Sequence, residues 1–172
     1  MKNLSVHLVP LDLTHSPILF DLTDRNRDHL RAWLPWVDHI RVLQDTQGFV
    51  ENALNKTTAG VESHYIMMAD DQPLGIIGLI DIKDGSGSVG YWIDRAHGRR
   101  GLTSAALEQL KAIAFNELGL KRLRLEYLEG NEASARVAAR CGFRCVQTIP
   151  KATTLHGVAL DRFVCLHERP AT

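Results

Sequence analysis

The spacing of apolar residues predicts short strands and helices along the first third of the chain. Apolar residues alternate at 6–10, which predicts an opening strand. They recur at helical spacing across 16–34, with one interruption, which predicts two short helices, the second ended by Pro35. The same spacing across 45–55 predicts a third helix, with Asp45 as its N-cap.

The middle of the chain changes from helical spacing to runs rich in β-branched residues. Residues 63–69, 74–82 and 88–93 are such runs, separated by a turn and by a Gly/Ser loop, so we expect three strands, the first two antiparallel. An amphipathic helix is then predicted from about 103 to 118, with Gly119 as its C-terminal cap.

The last third continues with strands and one helix. A strand is predicted at 123–128, a helix at 134–141 and closing strands at 144–148 and 158–166. Hairpins followed by a β-α-β-α-β-β order predict an α+β fold, an α/β/α sandwich in which helices flank a mostly antiparallel mixed sheet. We expect a single domain over 1–172, because 172 residues suffice for one sizeable core.

Composition and charge argue against several classes of protein. The formal net charge is zero, so no overall basic field attracts nucleic acid or an anionic membrane. The sequence has no apolar run long enough to span a bilayer, and its first residues lack the apolar core of a signal peptide, so we expect a cytoplasmic protein. Cys141, Cys145 and Cys165 match no zinc-ligand spacing, and we expect small buried side chains and no metal.

The segment 89–104 has the pattern of an anion-binding loop. A predicted strand runs into Gly98-Arg99-Arg100-Gly101, which opens the predicted helix. Backbone N–H groups at a helix N-terminus attract phosphate, glycine permits close approach of the backbone, and arginine adds positive charge. The glycine spacing fits neither a Walker loop nor a dinucleotide fingerprint. An ordinary strand-to-helix connection with a solvated arginine pair is the alternative.

A second strand–loop–helix segment lies about thirty residues further on. It carries Asn131 and Ser134 in an Asn-x-x-Ser pattern and ends in Gly142-Phe143. The two segments, in this order and with an intact helix between them, resemble the core of the GNAT acetyltransferase superfamily. The resemblance implies a GNAT fold, acetyl-CoA as co-substrate and no metal. It assigns cofactor contacts to Trp92, Ile93, Gly98, Arg99, Arg100, Gly101, Leu102, Thr103, Ser104, Asn131 and Ser134.

Further motifs resemble the RimL/RimJ-type branch, whose members acetylate N-terminal amines of ribosomal proteins. These motifs are Gly-Tyr-Trp at 90–92 and Asn-Arg-x-x-x-Leu-x-x-Trp-Leu-x-Trp at 26–36. They imply acetyl transfer to the N-terminal amine of a protein, with Trp33 and Trp36 in the substrate-side wall, although core packing is the alternative for both rings. Acetylation of a small amine-bearing metabolite or antibiotic is a second hypothesis, and a CoA-binding module without turnover is a third. The sequence leaves a homodimer open.

The chain departs from the superfamily pattern in the loop and at the positions of the general base. Gly98 stands where Gln or Arg is usual and Thr103 where Gly or Ala is usual, but the cradle depends more on backbone geometry than on those side chains. Ser88 stands where many members carry a glutamate base, and Thr153 where RimL-like enzymes carry a carboxylate. The base therefore does not follow from the resemblance.

Two residues are candidates for catalysis. The resemblance implies that the hydroxyl of Ser134 donates to the departing thiolate, and capping of its helix is the alternative. Glu126 is the first candidate to take the amine proton through water, followed by Asp81 and His156, and a solvated or ion-paired role is the alternative for each. An α-amine with a pKa near 7.7–8.0 needs a base less than a lysine near 10.4 does, so the missing carboxylates favour α-amines.

Overall fold

The structure is a computed structural model that describes residues 5–171. Seven strands in this part of the chain form one sheet. They are β1 (Val6–Pro10), β2 (Ser63–Ala69), β3 (Gln72–Lys83), β4 (Ser86–Ile93), β5 (Arg122–Leu128), β6 (Arg144–Leu155) and β7 (Val158–Glu168). Their order is β1-β2-β3-β4-β5-β7-β6, and β4 with β5 is the one parallel pair among them. This mostly antiparallel mixed sheet confirms the predicted fold class.

Helices cover both faces of this sheet. They are α1 (Ser16–Arg25), α2 (Arg27–Arg31), α3 (Leu43–Thr58), α4 (Leu102–Ala112) and α5 (Glu132–Arg140). One apolar cluster joins α4 and α5 to the inner strands, and a second joins α1 and α3 to β2 and β3. The helices are the outer layers of the predicted sandwich, and each cluster lies between one helical layer and the sheet.

The parallel pair forms a fork. β4 and β5 pair from Ser86 with Arg122 to Val89 with Leu125. Beyond that point β4 continues to Ile93 and β5 to Leu128, with no pairing between them. In this part of the two strands, the backbone N–H and C=O groups on the facing edges of β4 and β5 do not bond to each other. They are therefore available to a ligand.

Alternation along β4 places neighbouring side chains on opposite faces of the fork. Val89 and Tyr91 pack against the cluster of α4 and α5. Trp92 packs against the cluster of α1 and α3, on the opposite face. Ser88 pairs with Arg124 in the register and lies on that second face as well. The fork thus separates an α5 face from an α1/α3 face.

Several predicted element boundaries differ in the structure by a few residues, and three of them are informative. Helix α3 begins at Leu43, and Asp45 is not its N-cap: the Asp45 carboxylate accepts from the backbone N–H groups of Arg41 and Val42. The predicted 103–118 helix ends as α-helix at Ala112 and closes with a π-helical turn. Strand β6 continues to Leu155, because a bulge between Ile149 and Thr153 accommodates Pro150 on this edge strand.

One cysteine contradicts its prediction. Cys141 and Cys165 are buried, as expected. Cys145 is exposed on β6, directly opposite Cys165 on β7, and the two form a disulfide. The sequence offered no sign of this pair, because it depends on the register of two strands.

Candidate active site

A cleft of about 670 Å³ lies at the open end of the fork, between the N-terminal ends of α4 and α5. Tyr91 and Ile93 of β4 contribute to its wall, and His29 and Trp33 of the α2 region close one side. The two strand–loop–helix segments identified in the sequence therefore meet at one site. Their predicted cofactor residues in the cleft are Ile93, Gly98, Arg99, Arg100, Gly101, Leu102, Thr103, Ser104, Asn131 and Ser134.

The loop before α4 has the backbone geometry of an anion site. Arg99 and Gly101 have positive φ angles of 61° and 76°, which turn the chain sharply just before the helix. No side chain caps the helix, and its first intrahelical bond at this end runs from Ala105 N–H to the Gly101 carbonyl. The amides of the first turn are therefore available to an anion at the positive end of the helix dipole.

Positive charge is concentrated around this loop. Arg95, Arg99, Arg100, Arg136 and Arg140 all line the cleft. The chain has no net charge, so this concentration is local and is not a property of the whole surface. A Cβ added at Gly101 would lie 3.3 Å from a guanidinium nitrogen of Arg140, so the absence of a side chain there keeps the space at the helix terminus open. The cradle and its charge fit a pyrophosphate.

Buried polar contacts attach this loop to α1. The Asp94 carboxylate accepts from the Arg25 guanidinium at 2.9 Å and from the Ala96 N–H at 3.0 Å. The Asn26 side chain accepts from the Arg95 N–H at 3.0 Å and donates to the Leu22 carbonyl at 2.9 Å. Both Asn26 and Asp94 are buried, at 4% and 7% exposure. Sequence analysis did not assign them this role, although Asn26 begins the tryptophan-bearing motif.

Ser134 lies on the opposite wall, at the start of α5. Its backbone N–H donates to the Asn131 side chain at 3.2 Å, so that Asn131 is the cap of this helix. Its hydroxyl accepts a hydrogen bond from the Tyr91 hydroxyl at 3.1 Å. Burial raises the pKa of Tyr91 to about 12, and the hydrogen bond to Ser134 offsets part of that rise. Tyr91 was not among the sequence-based candidates.

The structure separates the predicted tryptophans. Trp33 lines the cleft close to Gly130. Trp36 and Trp92, with ring centroids 6.4 Å apart, instead line a second, apolar pocket of about 250 Å³ between α1, α3 and the sheet. The ring of Trp92 therefore lies outside the cleft, although its neighbours in β4, Tyr91 and Ile93, line it.

His29 is a cleft residue that sequence analysis missed. It shares α2 with basic and acidic residues, and nothing in its spacing along the sequence distinguishes it. Burial, followed by the nearby charge of Arg95, lowers the pKa of His29, while Asp94 opposes that shift. The shift therefore favours the neutral form of the imidazole.

The candidate base Glu126 lies on the α1/α3 face of the fork. One oxygen of its carboxylate contacts Arg124, and the other lies 3.4 Å from Arg162. Arg162 also donates to the Thr153 hydroxyl at 2.7 Å. This face therefore carries one carboxylate between two guanidiniums, with hydroxyls at the two positions where the resemblance implies carboxylates, Ser88 and Thr153.

The other two candidate bases lie elsewhere. Asp81 is on β3 near Lys56. His156 lies in the turn between β6 and β7, where its ring donates to the Arg31 carbonyl at 2.8 Å and joins this hairpin to α2. Neither residue lines the cleft.

Within residues 5–171, no group of three or more His, Cys, Asp or Glu side chains is arranged to hold a metal ion. The helices of the same residues are too short or too polar to cross a membrane.

Three features meet at this cleft: a forked parallel pair of strands, an uncapped basic helix terminus on one wall, and a serine at the start of the next helix on the other wall. Together they define an acyl-CoA-dependent transferase. The acetyltransferase (GNAT) domain profile matches residues 5–144, so the chain belongs to this family. It is an acetyl-CoA-dependent N-acetyltransferase. The family resemblance, the fold and the class of enzyme predicted from the sequence are thereby confirmed.

Two curated relatives align over most of the chain. The probable N-acetyltransferase YjcK of Bacillus subtilis is 24% identical over 170 residues, which are 95% of this chain and 94% of the relative. The ribosomal-protein-serine acetyltransferase of Escherichia coli is 26% identical over 144 residues, 83% of this chain and 79% of the relative.

Solved structures show the same fold. RimL, a ribosomal L7/L12 α-N-protein acetyltransferase in complex with CoA, superposes with a TM-score of 0.92 at 22% identity, over 95% of this chain and 94% of RimL. The microcin C7 self-immunity acetyltransferase MccE, in complex with acetyl-CoA and AMP, superposes with a TM-score of 0.88 at 18% identity, over 96% and 93% of the two chains.

Proposed function

We propose that this enzyme transfers the acetyl group of acetyl-CoA to the N-terminal α-amine of a protein, with a ribosomal protein as the substrate type, by direct attack of the amine on the thioester. The observation that carries this proposal is the α1/α3 face of the fork. Positions 88 and 153 carry the hydroxyl side chains of Ser88 and Thr153 in place of carboxylates. The carboxylate of Glu126 contacts the guanidiniums of two arginines. A site of this kind suits an amine that is partly neutral before it binds.

The pKa of the acceptor decides how much help it needs. An α-amine with a pKa of about 7.7–8.0 is roughly a tenth neutral at pH 7, whereas fewer than about one lysine in a thousand is neutral. A general base typically contributes about 10²–10⁴-fold, and this difference in neutral fraction is of the same order. The ribosomal-protein-serine acetyltransferase among the relatives and the ribosomal α-N-protein acetyltransferase among the fold neighbours support this class of acceptor.

The cofactor would lie with its pyrophosphate on the amides of 99–104 and its thioester in the fork. The free amides before Ala105 and the surrounding arginines support this placement. When bound, acetyl-CoA supplies an activated acyl group, and the residues of the chain hold it, exclude water and donate to the leaving sulfur. The hydroxyl of Ser134, on the opposite wall of the cleft, is the donor that we assign to the sulfur.

A peptide with two free amines tests the proposed acceptor. The peptide carries an N-terminal serine and one internal lysine, and its matched control has a formylated N-terminus, which leaves the lysine as its one amine. We expect acetylation to map to the N-terminus by mass spectrometry, and the control to react at least about a hundredfold more slowly at pH 7, in line with the neutral fractions. Faster or equal acetylation of the lysine would refute the proposal.

A small amine is the second candidate acceptor. The observation in its favour is the apolar pocket beside Trp36 and Trp92, whose volume of about 250 Å³ suits one ring system. The fold neighbour MccE, solved in complex with acetyl-CoA and AMP, supports a small ligand with a ring system as a candidate. Aromatic primary amines in the same assay separate the two candidates, because a small-molecule enzyme would prefer one of them to the peptide.

A further inference from the structure

The hydrogen bond between Tyr91 and Ser134 joins the fork to the opposite wall of the cleft. Tyr91 extends from β4 beyond the last residue that pairs with β5, on the α5 face of the sheet. Its hydroxyl donates to the Ser134 oxygen at 3.1 Å across 43 positions of sequence. No local propensity requires this contact, because the two residues belong to different elements.

The capping of α5 does not need the Ser134 hydroxyl. Asn131 caps the helix through its side chain, which accepts from the Ser134 N–H. The N–H groups of Asn131 and Glu132 donate to the carbonyls of Leu128 and Gly130. The N–H of Ala135 donates to the Asn131 carbonyl, so none of these capping bonds uses the Ser134 hydroxyl. Its hydroxyl is bonded to Tyr91 and faces the cleft.

We propose that Tyr91 is a positioning residue that directs the Ser134 O–H toward the departing sulfur of CoA. A serine hydroxyl has one proton, and the Tyr91 hydrogen occupies one lone pair of the Ser134 oxygen. The Ser134 proton is then left to point away from Tyr91, into the cleft. Tyr91 thus acts through Ser134 and need not contact either substrate.

The proton balance of the transfer is complete with these groups. The N–C bond forms, the C–S bond breaks and its electron pair stays on sulfur, which takes the proton of Ser134. The acceptor amine releases one proton to solvent and Ser134 takes one back, so neither side chain changes over a cycle. During the step, the Tyr91 hydrogen bond stabilises negative charge that develops on the Ser134 oxygen.

The burial of Tyr91 suits a positioning role. Burial raises the pKa of Tyr91 to about 12, so the phenol keeps its proton throughout the pH range in which such an enzyme works. Its proton is directed at the Ser134 oxygen, so the phenol is a constant hydrogen-bond donor to the serine.

The inference rests on the proposed placement of the sulfur beside Ser134. A double-mutant cycle tests it. The variants are Tyr91→Phe, Ser134→Ala and the double variant, with Tyr65→Phe as the control, since the Tyr65 hydroxyl lies on β2 and bonds Ser63. The acceptor is whichever amine the wild-type enzyme acetylates fastest. Steady-state kinetics give kcat and the KM for acetyl-CoA, and the thermal midpoint reports folding.

We expect Tyr91→Phe to lower kcat about three- to tenfold, as one hydrogen bond would, with the KM for acetyl-CoA changed less than about twofold. The double variant should be no slower than Ser134→Ala alone, and Tyr65→Phe should match the wild type. Multiplying losses in the double variant, or an unchanged kcat in Tyr91→Phe, would overturn the inference. If Ser134→Ala itself has no effect, the proposed placement of the sulfur fails instead, and the positioning role fails with it.

Discussion

At the scale of single residues, Gly101 and Gly60 adopt the same backbone conformation for different reasons. Their φ angles are 76° and 73°. Gly60 follows α3, and a Cβ there would meet no atom within 4 Å. Gly101 directly precedes α4, and a Cβ there would lie 3.3 Å from the Arg140 guanidinium, at the mouth of the proposed pyrophosphate cradle. Substitutions at these two glycines therefore distinguish the stability lost by a side chain in the left-handed region from the affinity lost at a ligand site.

Alanine at each of these glycines gives the first prediction. Gly101→Ala and Gly60→Ala should each lose about 1 kcal/mol of stability, because each places a Cβ in the left-handed region. Gly101→Ala alone should weaken acetyl-CoA binding about ten- to a hundredfold, the loss of one hydrogen bond to a charged group. Calorimetry with acetyl-CoA and thermal unfolding measure the two effects. Equal affinities of the two variants would contradict the placement of the pyrophosphate.

Ser134 and Asn131 give a second contrast, between chemistry and capping. Ser134→Ala should lower kcat roughly ten- to a hundredfold at nearly unchanged KM, because a serine is a weak acid that acts in the transition state. Its thermal midpoint should change little, since Asn131 caps the helix. Asn131→Ala should lose about 1 kcal/mol of stability. A stable Asn131→Ala beside a destabilised Ser134→Ala would reverse these assignments.

At the scale of elements, the loop before α4 depends on α1. Asn26 is buried and bonds both its own helix and the Arg95 N–H. Asn26→Ala leaves these groups unpaired, so it should lose about 1–3 kcal/mol of stability and weaken acetyl-CoA binding as the loop loosens. Asn52→Ala, on the exposed side of α3, is the matched control and should stay within about 0.5 kcal/mol. Unchanged affinity in Asn26→Ala would show that α1 does not support the cradle.

Element types could be predicted from the sequence because apolar spacing is a local property. The first and last residues of the helices and strands depend on tertiary contacts, which the spacing of apolar residues does not report. Asp45 has the chemistry of an N-cap, but its carboxylate reaches back to two amides before the helix. The strand predicted at 144–148 continues past Pro150, because a bulge on this edge strand accommodates the proline. Tyr91 was missed for the same reason, since its partner lies 43 positions away.

At the scale of the whole molecule, the two faces of the fork carry different groups of functional side chains. The cleft on its α5 side gathers the basic loop and Ser134, and its other face carries Glu126 between two arginines. The loop and the Asn-x-x-Ser segment could be recognised in the sequence because each is continuous. The second face could not, because Arg124, Arg162 and Thr153 meet only through strand order, with β7 inserted between β5 and β6.

The pH dependence of kcat/KM for the acceptor tests the central claim, which is transfer to an α-amine without an enzyme carboxylate as base. The assay compares two peptides that differ only in an N-terminal residue that changes the pKa of the α-amine. The apparent pKa of kcat/KM should follow the peptide, near 7.7–8.0 for an ordinary α-amine, and Glu126→Gln should leave that pKa unchanged. An apparent pKa that is the same for both peptides and is lost in Glu126→Gln would contradict the account.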